Sequence, residues 1–270
     1  MSLAARRLVR AIRPRWRLVL DEQFSGNSLD TSRWNITNWN NPATNNLAVW
    51  RASNIVVSDG LQILSKDEPY NGHDWTSGNV QTYAPFKWAT GGQYFRAEIR
   101  CKCPLQRGFW PAPLWFRPVL DDGSTGVGEI DLYEGYAKQA PDFYISGTLH
   151  GDYTEVPHRK FEQRRLFSDL LNPDAEDWHI YVIEKIPGRI DMYCDELRFG
   201  TWLEGQSSYE WPADTFQLYF ETPGVRWALR CTMQIGGPYA EPNPDANNDW
   251  SFAASTLFID YIRVWDFNRA

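Results

Sequence analysis

The run Phe95–Cys103 alternates without a break: Phe95, Ala97, Ile99, Cys101 and Cys103 fall on one side, and Arg96, Glu98, Arg100 and Lys102 on the other. Only an extended strand, with its period of two, gathers those apolar side chains onto one face and the charges onto the opposite one. Similar short runs recur along the chain between clusters of Gly, Pro, Asn and Asp. They predict strands at 54–57, 61–65, 92–103, 114–117, 128–133, 144–150, 179–185, 189–194, 215–221, 228–235 and 257–265. Many short strands divided by turn residues predict an all-β sandwich. Pro157–Leu171 carries many charges and reads as a segment with a short helix. Gly236–Trp250 is dense in Pro, Asn, Asp and Gly and reads as a long ordered loop, of the kind that often walls a cleft.

No internal repeat or interdomain linker is visible, so residues 18–270 are expected to form one domain, a normal size for a sandwich. Residues 1–17 hold Arg6, Arg7, Arg10, Arg13, Arg15 and Arg17 and are expected to be a poorly ordered basic arm. Arg6-Arg7 looks like a twin-arginine export signal, but Arg13, Pro14 and Arg15 interrupt the apolar stretch that such a signal needs. No run of apolar residues is long enough for a transmembrane helix. The net charge of −7 argues against a nucleic-acid partner, which basic patches bind, and weakly against highly sulfated glycans. The 14 Trp, 13 Tyr and 14 Phe supply apolar faces with polar edges, suited both to a core and to stacking on sugar rings. Cys101 and Cys103 read as small core hydrophobes, with a disulfide from one of them to Cys194 or Cys231 left open.

The chemistry is concentrated in Gly128-Glu129-Ile130-Asp131-Leu132-Tyr133-Glu134-Gly135. On a strand Glu129 and Asp131 share a face, and Ile130 and Leu132 fill the other. Glu134 is one residue out of phase. A β-bulge at Leu132–Tyr133 would return it to the acidic face, and bulges often sit beside active sites. Three carboxylates would then line one groove. A retaining glycosidase needs two carboxyl groups about 5–5.5 Å apart, one as nucleophile and one as acid/base. A third like charge between them pushes a pKa up, which helps keep one group protonated. The plain alternative is a solvated acidic face. The turn residues Asp121–Gly126 before the run and the apolar residues around it fit a central strand better.

The Glu-Ile-Asp-x-x-Glu run resembles the signature of glycoside hydrolase family 16, in the bulged form of laminarinases, agarases and carrageenases. Further segments agree in the family's order: Phe24–Asp30 running on to Trp34, Thr76-Ser77-Gly78, Gly91–Glu98, Gly108–Phe116, Gln234-Ile235-Gly236-Gly237 and Phe258–Trp265. The resemblance covers nearly the whole chain from about residue 18.

It implies a concanavalin-like jelly-roll β-sandwich with a concave substrate groove and endo-acting cleavage of a polysaccharide. It implies Glu129 as nucleophile, Glu134 as acid/base and Asp131 as the group that tunes the pair. Trp110 and Trp115 are then expected to line sugar subsites, with His150 close to the catalytic groups. Arg51 and Asn46 are expected at the groove edge, and Thr232 and Gln234 on a late strand facing the groove. No cofactor is expected for catalysis. Many family members hold a structural calcium, to which Asp260 would contribute; the early Glu of that site is replaced here by Gln23. The expected substrate is β-1,3-glucan, then mixed-linkage glucan. A β-galactanase, a transglycosylase and a non-catalytic glycan-binding protein are the alternatives. A monomer is expected, and the substrate class favours an extracellular or surface-associated place.

Overall fold

The computed structural model describes residues 15–38, 47–82, 94–106, 108–120, 126–135, 142–154, 158–206, 226–236 and 254–268. In chain order the strands are β1 (Arg15–Glu22), β2 (Trp34–Ile36), β3 (Ala48–Trp50), β4 (Ile55–Val57), β5 (Leu61–Tyr70), β6 (His73–Ser77), β7 (Asn79–Thr82), β8 (Phe95–Lys102), β9 (Phe109–Val119), β10 (Glu129–Tyr133), β11 (Tyr144–His150), β12 (Lys160–Leu166), β13 (Trp178–Ile186), β14 (Arg189–Cys194), β15 (Leu197–Leu203), β16 (Arg226–Ile235) and β17 (Ser255–Asn268).

They form two sheets, as in a jelly-roll sandwich. The larger has ten strands in the order β15-β14-β13-β8-β17-β5-β6-β3, with β1 beside β17 and β4 beside β5. The smaller has seven, in the order β12-β11-β10-β9-β16-β7-β2. β10 therefore lies inside its sheet, bonded on both edges.

The alternation in β8 does what its period demands. Phe95, Ala97, Ile99 and Cys101 are buried, and the charged residues between them are half-buried on the other face. Aromatic pairs join the layers. Phe95 of β8 meets Phe116 of β9 with centroids 5.1 Å apart, and Tyr133 of β10 stacks on Tyr181 of β13 at 4.5 Å. Each such fully buried side chain contributes about 1.5–3 kcal/mol. The four cysteines are free and buried, so the open disulfide does not form. Cys101 and Cys103 Sγ lie 3.9 Å apart, packed as core atoms.

The charged segment after Pro157 holds a short 3-10 helix at Phe167–Asp169, and before it strand β12, which the alternation did not predict. β12 is the edge strand, so both its faces tolerate polar residues and the alternation is blurred. The basic arm also gives way to structure early: β1 starts at Arg15 and pairs with β17, with Arg17 2.7 Å from Asp266. The strand predicted at 215–221 and the loop beyond Gly236 lie outside the described residues. Among the described residues no helix is long and apolar enough to cross a membrane.

Candidate active site

Gly128 leads into β10 with φ 95°, a conformation that a side chain would strain. Ile130 then faces the core. Leu132 and Tyr133 are both fully buried in the core, and the pairing of β10 with β9 slips by one residue between Asp131 and Tyr133. Two successive side chains thus point inward. The next residue, Glu134, turns outward and accepts a hydrogen bond from Trp110 Nε1 at 3.0 Å. Gly135 closes the segment: its N–H donates to the Pro111 carbonyl, and a Cβ there would lie 2.4 Å from Leu105 Cδ2. The carboxylate residues are nearly buried, with Glu129 8%, Asp131 3% and Glu134 8% exposed.

Strand register surrounds these groups. Ile130 pairs with Phe116, which sets Arg117 beside Glu129; Glu129 pairs with His150, and His150 with Lys160. Arg117 Nε lies 2.7 Å from Glu129 Oε2, and the Tyr153 hydroxyl donates to Glu129 Oε1. Both oxygens are therefore engaged and the side chain is fixed. Tyr153 itself belongs to a stack, 4.3 Å from the His158 ring and 5.5 Å from that of His150. Burial, then the charges of Glu129 and Asp131, push its phenol far up, so it stays a donor.

His150 Nε2 is 2.9 Å from Asp131 Oδ2, within ion-pair distance but out of line for a hydrogen bond. Burial is the largest influence on His150 and lowers its pKa despite the carboxylates nearby. Asp131 moves the other way. Burial, then the charge of Glu129, holds its carboxyl well above the usual range. His158 Nδ1 faces the Asp152 carbonyl at 3.4 Å, and its Nε2 lies 2.8 Å from His150 Nδ1. The middle carboxyl of the three is thus the one whose acidity burial and the neighbouring Glu129 weaken.

The other expected residues divide. Trp115 is in the groove row beside Asp131, its Nε1 donating to Thr232 Oγ1 at 2.9 Å, with the guanidinium carbons of Arg117 and Arg230 5.7 and 4.9 Å from its ring centre. Its ring is a platform for both cations. Gln234 is half-buried opposite Trp110. Thr232 is buried, and its hydroxyl is spent between Trp115 and Asn79 Oδ1, so it braces the groove floor instead of meeting substrate. Arg51 is not brought to the carboxylates: it pairs with Glu68 at 3.0 Å and stacks on Tyr70, on the ten-stranded sheet. Asn46 lies outside the described residues.

The calcium expectation does not fit. Asp260 Oδ2 is 2.7 Å from Arg100 Nη1, so a guanidinium already serves that carboxylate. Gln23, in place of the expected Glu, donates its amide to Asp21. Nearby, both oxygens of Glu22 accept hydrogen bonds, from the Phe24 N–H and Trp34 Nε1. A hard cation prefers free anionic oxygens.

Sequence reasoning missed Arg117, Tyr153 and Arg230. Alternation from Trp115 to Arg117 signals that these two share a face. Nothing local marks Tyr153, which folds back from beyond the end of β11.

No protein-family model matches the chain. A β-glucanase of Rhodothermus marinus is 28% identical over 265 residues, covering 93% of this chain and 86% of that protein. A glucan endo-1,3-β-glucosidase of Niallia circulans is 27% identical over 92% of this chain, which spans 37% of that longer protein. The catalytic domain of an endo-1,3-β-glucanase (laminarinase) from Thermotoga petrophila superposes with TM-score 0.75 at 24% identity, covering 95% of this chain and 100% of that one. That last likeness speaks to the fold. Over nearly its whole length, then, this chain is similar to β-glucanases in sequence and to a laminarinase in fold.

Proposed function

We propose that the chain is an endo-acting retaining β-glycanase that hydrolyses β-1,3-glucan. The observation that carries this reading is the row of nearly buried carboxylates on β10, with Glu129 and Glu134 separately held and Asp131 between them. The β-glucanase and laminarinase relatives support the choice of substrate. The slip in register at Leu132–Tyr133 supports the bulged form of the motif.

In this reading Glu129 attacks the anomeric carbon while Glu134 protonates the departing glycosidic oxygen. A covalent glycosyl-enzyme forms. Glu134 then takes a proton from water as that water attacks the same carbon, and the anomeric configuration is retained. Arg117 and Tyr153 aim the nucleophile, since a fixed near-attack geometry supplies much of the rate. Asp131, kept neutral, separates two groups whose protonation states must differ.

The test is hydrolysis of laminarin followed by NMR of the new reducing ends. β-Anomer formed first, with Glu134→Gln slower by about 10²–10⁴-fold, supports the reading. Initial α-anomer, or a Glu134→Gln variant of normal turnover, overturns it.

A further inference from the structure

Among the described residues, Arg230 on the seven-stranded sheet has no ion-pair partner. On β16 its register partners are Gln81 of β7 and Trp115 of β9. Its Nε is buried and makes no hydrogen bond, and among the described residues no carboxylate pairs with it. One strand over, Arg117 pairs with Glu129 and lies over the Tyr153 ring at 4.8 Å. The two guanidinium groups share the ring of Trp115. The chain carries net charge −7, so this pair is a local feature and not part of a general basic surface.

The groups facing Arg230 account for its state. Gln81 and Trp115 are neutral, Arg117 repels it, and the Glu129 carboxylate, already bound by Arg117, attracts it only from a distance. Burial, then Arg117, outweighs Glu129 and lowers the Arg230 pKa to about 10. A half-buried guanidinium whose Nε is left without a partner is costly, and a native fold that keeps one normally meets it with an anion. A guanidinium offers a planar fork that matches an oxyanion with two parallel hydrogen bonds. A neutral glucan has no group that uses this charge.

We propose that Arg230, supported by Arg117 across Trp115, forms a subsite for an oxyanion substituent, a carboxylate or a sulfate, on the polysaccharide beside the point of cleavage. This rests on the reading of the chain as a glycanase and narrows its substrate to an acidic, substituted β-glucan. The subsite lies one row from Glu129, so the charged sugar is at or next to the ring being attacked.

The test compares kcat/KM for neutral laminarin, laminarin oxidised at C6 to the carboxylate, and sulfated laminarin, for the unaltered protein, Arg230→Gln and Arg230→Lys. The expected result is a preference of about tenfold for one anionic polymer, the worth of one good charge-assisted pair. It falls with added salt, is lost in Arg230→Gln and partly kept in Arg230→Lys. The anionic polymer with the larger ratio identifies the group. Equal ratios in the unaltered protein and Arg230→Gln, or a preference for neutral laminarin, overturn the proposal. If Arg230→Gln does not fold, a salt-independent ratio in the unaltered protein overturns it, and a salt-sensitive ratio reduced in Arg230→Lys supports it. If no polymer is cut, the glucanase reading fails, and binding of the three polymers to Glu134→Gln judges the subsite alone: anionic preference supports it, and none overturns it.

Discussion

Arg117 lies beside Glu129 on the neighbouring strand, its Nε 2.7 Å from Oε2. The same guanidinium stacks at 4.8 Å on Tyr153, whose hydroxyl donates to the other oxygen of Glu129. Glu129, Arg117 and Tyr153 close a ring of contacts, and that ring is joined through stacked imidazoles to Asp131. The groove is wired as one unit, so single changes in it have predictable signs.

Tyr153→Phe keeps the ring stack and removes the donor. The expected outcome is a fall of about tenfold in kcat/KM on laminarin, the ~1.4 kcal/mol of one hydrogen bond to a charged group. Its melting temperature changes little, because the residue is 47% exposed. Steady-state kinetics beside a thermal melt checks this; unchanged kcat/KM shows that the hydroxyl does not position Glu129.

Asp131→Asn is expected to slow turnover and to stabilise the fold near neutral pH. Burial and Glu129 raise the folded pKa of Asp131 above the 3.8 of the unfolded chain. Above 3.8 the unfolded state has released its proton while the folded state still holds it, so stability falls as pH rises through that window. Below 3.8 both states are protonated and the cost vanishes. Asn never carries it. Melts of both proteins across the acid-to-neutral range should show the Asn variant ahead at pH 7 and the gap closing toward pH 3. A variant that melts lower at pH 7 contradicts this account.

His179 gives the same sign in a different pH window, by losing a favourable interaction. It lies buried on β13, its Nδ1 2.6 Å from Asp195 Oδ2 and its Nε2 2.8 Å from the Asp174 carbonyl. Burial opposes its charge, yet the Asp195 carboxylate and the carbonyl outweigh it and raise the pKa above 6.5. Its contribution is full below 6.5 and is lost as pH rises through the folded value. Stability should therefore decline on the alkaline side of 6.5, and His179→Gln should flatten that decline. The check is a pair of denaturant titrations at pH 6 and 9, and an equal drop in both proteins contradicts the assignment.

How far the sequence foretells this follows from which interactions are local. The alternation in β8 and the acidic run of β10 declare their strands, because period two is written in adjacent residues. The slip at Leu132–Tyr133 is legible because only an extra inward residue lets Glu134 rejoin Glu129 and Asp131. β9 is harder: Pro111, Pro113 and Pro118 disguise a strand that runs from Phe109 to Val119, where four residues are predicted. β12 hides among its charges. The roles of Arg117 and Arg230 depend on cross-strand register, and that of Tyr153 on a loop returning over β11; none of these is fixed by neighbours in the chain. The place of His150 beside Asp131 is foretold only by the family resemblance, and its link through His158 by nothing in the neighbouring residues.

The most direct test of the central claim is to trap the intermediate. The protein is incubated with a 2-fluoro laminaribioside bearing a good leaving group, which forms the glycosyl-enzyme but hydrolyses slowly, and the adduct is mapped by peptide mass spectrometry. One adduct is expected, on Glu129, absent from Glu129→Gln. A label on Glu134 or elsewhere, or turnover of the reagent with no adduct, would contradict it.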